Sequence, residues 1–257
     1  MQFVKRNTDK VIFFDVYQTL IDIDIDEERK KRNEAKGWEV FTKSLERYRA
    51  YISPVKFLAF NDKRRADFYA GKDKKVYHHN LCKLVMGTLQ EDLGVDISEA
   101  EVSGLLYEYH KIARGYAQLY SGVAETLAEL EKHYTLAVAS YTQGCYTQPE
   151  LRELGIEKFF SYFIYTSDIG FHKASPDFYK RCLEIIGKSA EDCMMIGDNY
   201  DVDVVVPQEL GMKAIWVKNP ITVSQYMHLC GQGPKNMIEL ESFEKLPEVI
   251  EEIFFER

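Results

Sequence analysis

The chain has no C-x-x-C pair. Its five cysteines, Cys82, Cys145, Cys182, Cys193 and Cys230, are an odd number scattered along 257 residues. That pattern argues against a disulfide framework or a zinc site and fits reduced thiols. No apolar run approaches the roughly 20 residues needed to span a bilayer. Lys5 and Arg6 are followed by Thr8 and Asp9, not by an apolar stretch, so the first residues lack a secretory pattern. Positive charge is in deficit: 33 Lys and Arg against 41 Asp and Glu leave a net charge of −8, with a pI near 5.4. Such a field repels polyanions, which disfavours nucleic acid and anionic membranes as partners. Internal repeats and low-complexity tracts are missing as well. These absences predict a soluble, cytoplasmic protein and leave its oligomeric state open.

Apolar residues make up 46% of the chain and charged residues 29%, the profile of a globular protein with ample material for a core. Val11-Ile-Phe-Phe14 is a short apolar run of the kind buried on both faces of a parallel sheet, and it delivers Asp15 at its carboxyl end. Ile21 to Asp26 alternates isoleucine with aspartate, which predicts an extended, solvent-facing flap. From Glu27 to about Ala117 the chain is charged, aromatic and poor in glycine. Ser98-Glu99-Ala100-Glu101 there forms a capping-box signal ahead of a Leu105, Leu106, Tyr109 face. Beyond this helical insertion, strands and helices alternate. Ser121 is placed to cap a helix bearing Val123, Leu127 and Leu130; Leu136 to Ser140 follows as a strand, then a helix near Pro149 to Leu154 and a strand from Tyr162 to Thr166. A helix from Pro176 to Ile186 ended by Gly187, a strand from Cys193 to Ile196, a helix through Glu209 to Gly211 and a strand from Lys213 to Val217 complete the series. The pattern predicts an α/β fold with a parallel sheet.

Four signals fall at the carboxyl ends of these strands, where open parallel sheets bind ligands: Asp15-Val-Tyr17-Gln-Thr19, Ser140, Lys173 and Gly197-Asp198-Asn199-Tyr-Asp-Val-Asp203. A nucleophilic carboxylate, a hydroxyl, an ammonium and further carboxylates at one rim suit phoshoryl transfer, with a hard divalent cation held by oxygen ligands.

In these motifs and their order, residues 11 to 22 and 118 to 217 resemble the haloacid dehalogenase superfamily. The resemblance implies a Rossmann-like, three-layer α/β core formed by residues 1–22 and 118–257, with a mainly helical cap domain at 23–117. It makes Asp15 the nucleophile and implies that Ser140 and Lys173 bind the phosphoryl oxygens, with Tyr141 at the substrate pocket. Thr19 braces the turn, and Asp203 sits near the metal or Lys173. Mg²⁺ is the implied cofactor, held by Asp15, Asp198 and the backbone carbonyl of Tyr17. A small phosphorylated molecule is the implied substrate.

Phosphatases of the family usually carry aspartate two residues after the nucleophile, where it protonates the leaving alcohol. Here Tyr17 stands there. A phenol with a pKa of about 10 is a weak acid at neutral pH, and a general acid supplies about 10² to 10⁴ in rate. Tyrosine at this position resembles the 2-haloacid dehalogenases of the family, whose halide leaves without a proton. Those enzymes use no metal and usually lack the counterpart of Asp198. Their cap arginine has no clear equivalent in Arg47 or Arg49. Three readings follow: a phosphatase with impaired acid-base chemistry, a dehalogenase, or a weakly active binder of a phosphorylated ligand. Asp22, Asp24 and Asp26 are read as a wet face. His78, His79 and His172 are read as surface or pocket-rim residues, and the aromatic residues of the insertion as core packing.

Overall fold

The computed structural model describes residues 9–221 and 236–255; Lys5, Arg6, Thr8 and Cys230 lie outside them. The described strands are β1 (Val11–Phe14), β2 (Ile21–Ile23), β3 (Ala117–Leu119), β4 (Thr135–Ser140), β5 (Tyr162–Tyr165), β6 (Cys193–Gly197), β7 (Lys213–Lys218) and β8 (Met237–Glu239). Six of them form one sheet in the order β5-β4-β1-β6-β7-β8, parallel throughout. The nucleophile strand β1 lies at its centre, between β4 and β6.

Alternation along the strands splits the core into two layers. Ile12, Phe14, Leu136, Val138 and Ile196 face one side, against helices α5 (Val123–Leu130) and α10 (Leu246–Phe255). Val11, Phe13, Ala137, Ala139 and Met195 face the other, against α8 (Pro176–Ile186). Helices on both faces of a parallel sheet make the three-layer, Rossmann-like α/β fold.

Between β2 and β3 runs the helical insertion: α1 (Glu27–Ser44), α2 (Pro54–Tyr69), α3 (Leu81–Gly87) and α4 (Glu99–Ala113). Phe41, Leu45, Phe57, Val85, Leu89 and Leu106 build a separate apolar cluster there, with Trp38 and Tyr109 packed against it. The antiparallel pairing of β2 with β3 closes its base, Ile23 opposite Ala117. The capping box forms at Ser98, whose backbone N–H donates to Glu101 at 3.0 Å.

Several local expectations differ in the structure. The Ile21–Asp26 alternation is a strand only to Ile23. Asp24 and Asp26 turn instead to Arg29, Asp26 accepting from its backbone N–H at 2.8 Å as the N-cap of α1. The cap of α5 is Gly122, at φ 79°, and not Ser121. Helix α6 (Gly144–Glu153) starts five residues before Pro149 and contains it. The helix expected through Gly211 is short, α9 (Val206–Glu209), and Pro207 sits in its first turn, where no N–H is needed. Among the remaining connections are α7 (Thr166–Ile169) and a π-helical turn at Tyr200–Val205. The four described cysteines are free, and no described helix is long and apolar enough to cross a membrane.

Candidate active site

The carboxyl ends of β1, β4 and β6 and the loop after α7 converge on a cavity of about 380 Å³, lined by Asp15, Ser140, Tyr141, Lys173, Asp198 and Asp203 among others. Lys173 is the hub. Its ammonium is 1% exposed and reaches Asp15 Oδ1 at 2.7 Å and Asp203 Oδ1 at 2.5 Å. Burial works against its charge, but the two carboxylates outweigh that cost and raise its affinity for the proton. For Asp203, burial and the neighbouring Asp15 push the pKa up, against the pull of Lys173.

Backbone geometry brings these groups together. Asp203 sits in the π-helical turn, and the Asn199 N–H donates to its Oδ2 at 3.1 Å. Gly197 is required here, because a Cβ at that position would collide with the Asp203 carboxylate. Thr19 is fully buried; its hydroxyl donates to Asp198 Oδ1 at 3.2 Å and accepts from the Asp198 N–H at 3.1 Å, tying the turn after β1 to the loop after β6. Gln18, between them, adopts φ 64°, a left-handed conformation uncommon outside glycine. Asn219 holds it there, donating to the Gln18 carbonyl at 2.7 Å.

Ligand atoms of Asp15, Asp198 and Asp203 lie within 4.8 Å of one another. Three carboxylates this close repel unless a cation joins them. An all-oxygen donor set with one ammonium nearby suits a hard ion such as Mg²⁺, not a soft one. Ser140, 1% exposed, and Tyr141, 48% exposed, complete the wall.

Tyr17 lines the same cavity, but its hydroxyl leads elsewhere. It donates to Glu150 Oε2 at 2.7 Å and lies 3.1 Å from His110 Nε2 and 3.3 Å from Thr147 Oγ1. Burial, and then the Glu150 charge, raises the phenol pKa well above its ordinary value. Arg114, in turn, forms a close ion pair with Glu150.

A family model for haloacid dehalogenase-like hydrolases matches residues 10–211. The chain belongs to this family. Among known proteins, this hydrolase is 25% identical over 211 residues to a glyceraldehyde 3-phosphate phosphatase of Pyrococcus abyssi, 81% of each chain. It is 24% identical over 143 residues to one of Methanothermobacter thermautotrophicus, 55% of this chain and 63% of that one, so this match spans less than two thirds of its relative. A solved 2-haloacid dehalogenase of Pseudomonas syringae pv. tomato has the same fold at 21% identity and a TM-score of 0.57, covering 95% of this chain and 98% of that one.

Of the candidate site residues read from the sequence of the hydrolase, Asp15, Tyr17, Ser140, Tyr141, Lys173, Asp198 and Asp203 line one cavity, and Thr19 braces it from behind. Arg47 and Arg49 are exposed and do not line this cavity. His172 is at the rim as expected. His78, read as a surface or pocket-rim residue, is 7% exposed: it lines a second cavity beside this one and belongs to a seam between the insertion and the core. There Tyr77 bridges Phe171, the His78 N–H donates to the Gly170 carbonyl at 2.9 Å, and the His78 ring meets Thr166 at 2.7 Å. Reading by motif also missed Glu150, His110, Arg114 and Asn219. The i, i+4 spacing of His110 and Arg114 on one helix face was the available signal for the middle pair.

Burial, with repulsion from His79 and His172, pushes the His78 pKa down to about 4, from an ordinary value of about 6.5. The native state therefore binds fewer protons than the unfolded chain, and the stability this lends above about pH 6.5 is lost as the pH falls toward about 4. Unfolding by urea at pH 7 and pH 5 is expected to show a loss of up to about 2 kcal/mol from this group. His78→Gln keeps a partner for Thr166 and is expected to flatten the dependence; an equally steep loss in the variant would refute the assignment.

Proposed function

We propose that this hydrolase is a Mg²⁺-dependent phosphatase of a small phosphomonoester, working through an aspartyl-phosphate on Asp15. The observation that carries the reading is Asp15 held by Lys173 inside a cluster with Asp198 and Asp203, at the carboxyl edge of the sheet. The named activity of the two archaeal relatives supports it.

Asp15 Oδ attacks phosphorus, its new O–P bond forming as the ester O–P bond breaks; water then attacks the same phosphorus, breaking the Asp15 O–P bond, releasing phosphate and restoring the carboxylate. Lys173 and Ser140 hold the phosphoryl oxygens, and Asp203 keeps Lys173 charged and in place. Asp15, Asp198 and the Tyr17 carbonyl would hold Mg²⁺, which supplies charge neutralisation between phosphate and carboxylates. The helical insertion, residues 23–117, acts as a cap. Between it and the core is a second chamber of about 350 Å³ that shares Tyr17 and Tyr141 with the Asp15 cavity. It receives the leaving group.

The single hydroxyl proton of Tyr17 is donated to Glu150, so the departing oxygen takes its proton from water. Aryl and acyl phosphates are therefore expected to exceed alkyl phosphates in kcat/KM by at least about 10²-fold, measured as Mg²⁺-dependent phosphate release. Tyr17→Phe is expected to leave each rate within about threefold. Equal rates for aryl and alkyl esters, or a collapse on Tyr17→Phe, would overturn this account of Tyr17.

Halide displacement needs no proton, which is the case for a dehalogenase. Asp198 and Asp203 beside Asp15 count against it, because they repel the carboxylate of a 2-haloacid. Halide release from 2-chloropropionate is the measurement that separates the two.

A further inference from the structure

The chamber under the insertion carries an unusual buried charge. Glu150, on α6 of the core, has no exposed side-chain surface. It accepts from Tyr17, meets His110 Nε2 at 3.3 Å, and pairs with Arg114 at the end of α4. Tyr17, His110 and Arg114 all line the chamber, so the carboxylate stands directly behind its wall. Burial opposes ionisation of Glu150, but its hydrogen-bonded partners and the Arg114 charge outweigh it and hold the carboxyl below its ordinary range. Burial also pushes the His110 pKa down, against the pull of Glu150, and its ring stacks on Tyr146 at 3.9 Å.

Arg114 looks like an anion receptor: a guanidinium in a chamber next to a phosphoryl site. Its pairing with Glu150 removes that function. The other charged groups on the chamber wall do not restore it. Asp24 is bound by Arg29 at 2.7 Å, and Glu27 and Glu34 offset Lys30 and Arg114. Glu150 therefore tips the chamber to net negative.

We infer that Glu150 is a specificity-determining residue which silences Arg114, so that the chamber admits phosphomonoesters with an uncharged leaving group and rejects those bearing a second anion. The inference rests on the phosphatase reading for the identity of the ligand, and it deepens that reading. The tyrosine rings of the wall, Tyr17, Tyr109, Tyr141 and Tyr146, suit a flat or hydroxylated group.

A matched pair of non-hydrolysable ligands tests it: phenylphosphonate and 4-carboxyphenylphosphonate, titrated by calorimetry into the whole chain with Mg²⁺ present. The wild type is expected to bind the uncharged ligand at least about tenfold more tightly, like charge across a desolvated wall being the cause. Glu150→Gln keeps the shape and an acceptor for Tyr17 while freeing Arg114, and is expected to bring the ratio to about one or invert it. Arg114→Gln leaves Glu150 uncompensated and is expected to widen the ratio; if Glu150→Gln fails to fold, the wild-type ratio decides the matter, since a free Arg114 would favour the charged ligand. A wild-type ratio near one, a ratio unmoved by the variants, or no binding of either ligand overturns the assignment. Phosphate release is scored separately. Binding in the expected ratio without any turnover would overturn the phosphatase and leave the role of Glu150 standing, whereas turnover with equal binding would do the reverse.

Discussion

Asp15→Asn is expected to lower Mg²⁺-dependent phosphate release by at least about 10⁴-fold, the scale on which removal of a nucleophile acts. The amide oxygen of asparagine carries no full charge and forms no stable phosphoryl ester, so the covalent route is closed. Folding is expected to survive. The substitution leaves Lys173 paired with Asp203 at 2.5 Å and still offers it an acceptor, and it removes one of three mutually repelling carboxylates. Phosphate release and thermal unfolding measured on the same preparation separate lost chemistry from lost structure. A variant that releases phosphate as fast as the wild type would show that Asp15 is not the nucleophile, and would leave a binding protein with adventitious turnover as the better reading.

The second large effect is expected from Lys173→Met. Removing one partner of a buried ion pair costs about 3 to 5 kcal/mol, because the partner stays charged without compensation, and here two carboxylates are stranded together. Activity falls with stability, since the phosphoryl oxygens lose their ammonium. The pH dependence has a definite sign. With Lys173 gone, repulsion between Asp15 and Asp203 raises a carboxyl pKa in the native state above its unfolded value. The native state then binds the extra proton, and the variant regains stability as the pH falls toward about 5. Mg²⁺ is expected to restore stability at pH 8 by taking the place of the lost positive charge among the three carboxylates. Urea unfolding across this range, with and without Mg²⁺, reads both effects. A variant as stable as the wild type at pH 8 without metal would mean that the cluster is not charged as described.

Much of this was legible in the chain before any fold was seen, for a local reason. Val11-Ile-Phe-Phe14 is apolar on both faces and delivers Asp15 to an edge within a single residue. The same holds for Ser140 at the end of β4 and Asp198 just after β6. Once the strands are parallel and adjacent, their carboxyl ends meet, and motif residues tens of positions apart become neighbours. Capping was legible for Ser98, whose partner Glu101 is three residues away. It was not legible at Gly122, where the chain must turn through a left-handed φ before α5 begins.

Direction was not legible. From the sequence, Tyr17 is a weak acid near the nucleophile; in the fold its hydroxyl is committed to Glu150, 133 residues away, and approached by His110, 93 residues away. Neither partner has a motif, and nothing in the run around Pro149 marks Glu150 as a fully buried charge. Asn219, which steadies the strained Gln18, likewise follows β7 without any signature.

The sequence by itself determined the family, the parallel sheet and the cluster of Asp15, Ser140, Lys173, Asp198 and Asp203, since strand burial and short-range spacing are written in consecutive residues. Only the tertiary structure decided where the Tyr17 proton goes, whether Arg114 is free to meet a ligand, and which charges face the chamber. The first depends on a contact between the turn after β1 and α6 within the core, the others on contacts across the seam between insertion and core, and the energy of a buried charge is settled by the partners that surround it, not by its neighbours in the chain.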